Sequence, residues 1–119
     1  MIRITFLAFA LFLAIEGTIA AFWPAWAKKK MADMQDIPNR ALGFIGLLFI
    51  FSGVVVAGLA DGIIKIAAVA VILEGALYCV MPALMKRVMA VAVRSSEAVL
   101  RILGETALGI GVTALALFY

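Results

Sequence analysis

Long apolar stretches at roughly residues 4–23, 41–60, 63–81 and 99–118 alternate with shorter segments that hold most of the charge. Each stretch is close to the ~20 residues that a helix needs to cross ~30 Å of hydrocarbon. The runs are continuous, without the every-second-residue alternation of a membrane strand, so they predict helices. The first two stretches are separated by PAWAKKKMADMQDIPNR and the last two by PALMKRVMAVAVRSSEAV. Each linker opens on a proline, Pro24 or Pro82, where the preceding helix must end or bend. Each linker is also amphipathic. Met85, Val88, Met89 and Ala92 recur at helical spacing, while Lys86, Arg87 and Arg94 lie off that stripe. Short helices in the headgroup layer are predicted, with Phe22, Trp23 and Trp26 at the level of an aromatic belt. Asp36, and Ser95 or Ser96, are candidate N-caps for the helices that re-enter. Asp61-Gly62 predicts a tight turn on the opposite side.

Composition agrees with a membrane setting. Hydrophobic residues make up 67% of the 119 positions and charged residues 14%, with a mean hydropathy of +1.22. A water-soluble domain of this size could not bury so much apolar surface, so the excess faces the bilayer. The stretch from Arg3 to Ala21 has some features of a secretory signal. Glu16 interrupts its apolar region and no soluble domain would remain after cleavage, so a retained membrane helix is expected. The single cysteine, Cys79, has no internal disulfide partner, and there is no histidine to serve as proton shuttle or metal ligand. No cofactor or metal is expected. The net charge of +3 comes from basic residues placed between apolar runs. That placement points to anionic lipid headgroups rather than to nucleic acid.

The chain is a duplication. Shifted by 58 residues, its halves align without a gap. Glu16-Gly17 falls on Glu74-Gly75, Pro24-Ala25 on Pro82-Ala83, and Lys28 and Met31 on Lys86 and Met89. Gly46, Gly53 and Val54 fall on Gly104, Gly111 and Val112. The matched residues are the unusual ones, which makes the repeat a strong signal. Residues 1–60 form repeat 1 and residues 61–119 repeat 2. Two spans per repeat give both copies one orientation, related by a pseudo-twofold axis along the membrane normal. The expected fold is therefore an all-α membrane protein with four transmembrane helices. They form two parallel two-helix repeats, each with a short amphipathic interfacial helix. Eight basic residues flank the two linkers, against Arg3 and Lys65 on the other side. The positive-inside rule places the linkers in the cytoplasm and both termini in the periplasm.

Candidate functional groups follow from these patterns. Glu16 and Glu74 lie at matching depth, Glu16 about 12 Å from the linker end of its helix. An ionised carboxylate there costs at least ~2.5 kcal/mol, so each must be neutral, paired or hydrated. One reading makes each a neutral packing group, hydrogen-bonded to Thr18, Ser52 or a freed backbone group. Another makes them a proton-sharing or cation-binding pair across the pseudo-twofold axis. Glu105, which faces Leu47 in the alignment, could pair with Arg101 one turn away. Gly17, Gly75, Gly46, Gly53, Gly104 and Gly111 offer small faces for close helix approach. Lys28, Lys29, Lys30, Lys86 and Arg87 are candidate contacts to lipid headgroups or to a partner.

The duplicated pattern resembles the YjeT-like family of small bacterial inner-membrane proteins, whose members usually carry one two-helix unit. LAIEGTIAAFWPAWAKKKMADMQDIPNRALGFIGL carries the resemblance in the first copy and LEGALYCVMPALMKRVMA in the second. In the second copy Ser96 replaces Pro38 and Arg101 replaces Gly43. The resemblance implies a multi-pass protein of the bacterial inner membrane and no catalytic residues. It also implies a possible association with HflK, HflC and the protease FtsH.

Two functions are compatible with these features. The first is an accessory or scaffold subunit that packs against another membrane protein or its own copies. The second is a small proton-coupled transporter using Glu16 and Glu74. An enzyme is not expected, because no nucleophile has a base at usable spacing and no phosphate-binding loop is present.

Overall fold

A proline after an apolar run forces a break, and the chain breaks at both. The computed structural model describes residues 2–119. Helix α1 (Ile2–Phe22) gives way to α2 (Pro24–Gln35) at the single residue Trp23, and α4 (Ile63–Val80) to α5 (Pro82–Arg94) at Met81. Trp23 has φ −132° and ψ 57°, and Met81, 58 positions later, has φ −130° and ψ 56°. Proline at the next position drives its predecessor out of the helical region. Both backbone groups of Trp23 are used at the join. The Trp23 N–H closes α1 on the Ile19 carbonyl at 2.8 Å, and its own carbonyl accepts from Ala27 N–H at 2.9 Å.

Helices α3 (Asn39–Leu59) and α6 (Glu97–Phe118) complete the set, and no strand is present among the described residues. Helices α1, α3, α4 and α6 are long and apolar enough to cross a membrane. Their entry points differ in chemistry but not in shape. Pro38 precedes α3 with φ −58° and ψ 146°, and Ser96 precedes α6 with φ −70° and ψ 157°. The Ser96 hydroxyl accepts from Val99 N–H at 3.2 Å, as an N-cap should. Asp36 does not cap α3. It ends α2 instead, its N–H donating to the Asp33 carbonyl and the next N–H, of Ile37, to the Met34 carbonyl, each at 3.2 Å. The proline two residues later already sets the extended entry to α3, so the acidic side chain has no amide to cap. Gly62, at φ 67° and ψ −141°, makes the turn between α3 and α4. A β-carbon is disfavoured in that left-handed region.

The four long helices stand in a row, in the order α6, α1, α4, α3. The chain measures 38 × 33 × 19 Å along its principal axes, the shape of a slab. At the end nearer the Asp61-Gly62 turn, α1 meets α4 through Leu7, Ala8, Ile66 and Ala70. At the other end α2 packs on α5. There Met31, Met34, Met85 and Met89 gather with Ile37 around Leu42 and Tyr78. Met85 and Met89 of the predicted stripe thus turn toward the residues of α2 and toward Leu42 and Tyr78, while Val88 of the same stripe stays exposed.

Candidate intramembrane carboxyl site

The two central helices of the row, α1 and α4, each bring one glutamate to the middle of the protein. The Glu16 and Glu74 carboxyl groups lie close enough to interact electrostatically. Tyr78, one turn along α4 from Glu74, donates its hydroxyl to Glu74 Oε1 at 3.4 Å and lies within electrostatic reach of Glu16 as well. The distance is at the long end of the hydrogen-bond range, so the bond is weak. The ring is held firmly. It is buried among Leu42 and Met89, with Phe49 edge-on at 6.5 Å. Glu74 is half-buried and Glu16 exposed.

Neither partner expected for the glutamates bonds to them. Thr18 donates to the Ala14 carbonyl of its own helix at 2.7 Å. Ser52 is exposed on α3, at the edge of the row. The residue that sequence reasoning missed is Tyr78. Its i, i+4 spacing from Glu74 was visible, but its counterpart in the repeat is Ala20, so a search for duplicated residues passed over it. Two carboxyls and a phenol in a low-dielectric setting can share a proton or surround a small cation. Among the described residues, no three His, Cys, Asp or Glu side chains come together as metal ligands do.

The six glycines flank this site. A β-carbon on Gly17 would meet the Gly104 carbonyl oxygen at 2.6 Å, and one on Gly75 would meet Phe49 Cβ at 2.7 Å. Gly46 faces the Cys79 amide nitrogen, and Gly104 faces Ala20 Cβ, each at 2.7 Å from the added carbon. Gly111 rests against Ala10 and Ala14, and Gly53 against Ala68 and Ile72. Each contact between α1 and α6 thus has its counterpart, 58 residues on, between α4 and α3. Backbone approach of this kind is what small residues allow in membrane helix pairs.

The sequence pattern of a family described as an uncharacterized protein conserved in bacteria (DUF2065) matches residues 5–60 and again residues 64–118. The chain belongs to this family. No curated protein and no solved structure matches it. Each DUF2065 match spans two long helices and the short helix between them, which makes the chain a two-part repeat. The two long helices of one DUF2065 unit do not pair with each other. Helix α1 of the first unit lies on α6 of the second, and α4 of the second lies on α3 of the first.

The basic residues complete the exchange between the DUF2065 units. Lys28, on α2, donates to the Ser95 carbonyl at 2.6 Å, at the end of α5. Lys86, on α5, donates to the Ile37 carbonyl just beyond α2. Lys28 and Lys86 are repeat partners, and so are Ile37 and Ser95, so each short helix places a cation on the C-terminal end of the other. Helix C-termini carry unpaired carbonyls and partial negative charge, which favours this. Both lysines are half-buried and engage the chain itself. Lys29, Lys30 and Arg87 are exposed, and Lys30 lies 5.6 Å over the Trp26 ring. Among the described residues, Glu105 and Arg101 make no ion pair with each other; both are exposed.

Proposed function

We propose that the chain is a non-enzymatic accessory or scaffold subunit of the bacterial inner membrane, packing laterally against a larger membrane complex. One observation carries this reading: the long helices form a row one helix deep, so both broad faces are left to neighbours. Large apolar side chains such as Phe9, Phe44, Phe51 and Ile102 are more than half exposed. Lipid can cover such a surface, and so can the apolar flank of a larger assembly. With α2 and α5 placed in the cytoplasm by the basic bias, Lys29, Lys30 and Arg87 face anionic headgroups or the partner's cytoplasmic part. The YjeT-like resemblance makes HflK, HflC and FtsH the first partners to test. Extraction of native membranes in mild detergent, followed by affinity purification and quantitative mass spectrometry, should recover one larger membrane protein in near-fixed ratio. Recovery of the chain with only its own copies sinks the proposal.

The convergence of Glu16, Glu74 and Tyr78 favours one alternative, a proton-coupled transporter. In proteoliposomes, Glu16→Gln and Glu74→Gln should each abolish flux driven by a pH gradient. Flux that survives both changes removes this reading.

A further inference from the structure

Helices α3 and α6 form the two edges of the row, and the repeat makes those edges equivalent places in the fold. Their outer faces therefore serve as controls for each other. On α3 the outer face carries Leu47, Leu48, Phe51 and Val55, all exposed, as suits a surface in contact with lipid tails. The aligned positions on α6 are Glu105, Thr106, Gly109 and Thr113, also all exposed. A β-carbon on Gly109 would meet nothing within 4 Å. With Glu105, Thr106 and Thr113, Gly109 lines an open groove of about 510 Å³. Nothing inside the chain accounts for the difference, since the inner faces of the two helices keep the same glycines at Gly46, Gly53, Gly104 and Gly111. The Thr106 hydroxyl is satisfied by the Ile102 carbonyl of its own helix, but the Glu105 carboxyl and the Thr113 hydroxyl facing hydrocarbon are unfavourable, whereas the same groups facing another helix are satisfied.

We propose that the outer face of α6 is a dimerisation surface, and that its occupant is α6 of a second copy in the same orientation. Charge complementarity selects this occupant. Arg101 and Glu105 lie one turn apart on the exposed side of α6, unpaired with each other. A twofold contact centred near Gly109 sets Glu105 beside the partner's Arg101, and the reverse, so the contact holds two ion pairs and each charge has one partner. Gly109 lets the two backbones approach; Thr106 already donates to the Ile102 carbonyl of its own helix at 2.9 Å, so it is the Thr113 hydroxyl that stands free to bond across the seam. The α3 edge remains in lipid. This dimer is independent of any larger complex, because it follows from the two edges alone.

The test uses the internal control. In a Cys79→Ala background, single cysteines replace Thr106, Gly109 or Thr113 on α6, and Leu48, Phe51 or Val55 on α3. Oxidative cross-linking in native membranes is expected to give a dimer of this chain from the α6 positions and not from the α3 positions. Equal cross-linking from both edges, no dimer from α6, or capture of a different protein in its place each overturn the proposal. A second variant copies the α3 edge onto α6 through Glu105→Leu, Gly109→Phe and Thr113→Val. The fold already carries those residues at the equivalent places, so helicity by circular dichroism should be kept. Dimer affinity in detergent should fall by roughly tenfold or more. A helical variant that dimerises as before overturns the proposal too.

Discussion

Gly46→Leu is expected to unfold the protein, whereas Gly58→Leu leaves it almost unchanged. A β-carbon at Gly46 would lie 2.7 Å from the Cys79 amide nitrogen and 2.9 Å from Tyr78 Cβ. The amide nitrogen belongs to the α4 backbone, which cannot rotate aside as a flexible side chain can. Helices α3 and α4 must separate, and the contacts of Gly53 with Ala68 and Ile72 are lost with them. Overpacking a flexible core costs about 1–3 kcal/mol. With backbone as the obstacle, a loss of about 3 kcal/mol or more is expected. At Gly58 the same carbon meets nothing within 4 Å, so a change within about 0.5 kcal/mol is expected, as for other surface sites. Titration with sodium dodecyl sulfate, followed by circular dichroism, measures both. Matching midpoints for the two variants would show that close glycine contact is not what holds α3 on α4.

The second large effect belongs to the reciprocal lysines. Lys86→Met removes the ammonium that bonds the Ile37 carbonyl, and Lys28→Met removes the one on the Ser95 carbonyl. Each is a charge-assisted bond onto a helix end, of a kind worth about 1.5–3 kcal/mol. Partial exposure of both lysines argues for the lower part of that range. The expected result is faster proteolysis in the connections after α2 and α5, and a lower unfolding midpoint for either variant. The double variant should lose at least the sum, since the two bonds tie the same pair of helices together. Lys29→Met, which changes an exposed side chain in the same segment, is the control. If Lys86→Met unfolds no more readily than Lys29→Met, the reciprocal bonds contribute nothing to stability.

Several features were legible because they are local. The breaks at Trp23 and Met81 follow from the prolines beside them, and the turn at Gly62 from a residue that tolerates positive φ. The cap at Ser96 needs only its own hydroxyl and the amide of Val99. Asp36 was misread because capping chemistry was present while the geometry that uses it was supplied by Pro38. Of the carboxyl site, Glu16 and Glu74 were legible as a duplicated pair. Tyr78 was not, since attention to what repeats overlooks a polar group present in only one copy. The bonds from Lys28 to Ser95 and from Lys86 to Ile37 span 67 and 49 residues. No pattern within a helix reveals such a contact.

The sequence alone determined the four long apolar helices, the duplication, the small-residue faces and the matching positions of the two glutamates. Hydropathy, periodicity and proline act over one or two helical turns, so these features are written locally. Only the tertiary structure decided which span lies on which. Gly46 and Gly104 are repeat partners, so a pairing of Gly17 with either looks the same in the sequence. The connection lengths break the tie. Three residues, Ala60, Asp61 and Gly62, keep α3 beside α4, while a whole short helix separates α1 from α3 and lets them part. The glutamates of the two units then lie within electrostatic reach of each other across α1 and α4, and α3 and α6 become the edges at which neighbours can pack.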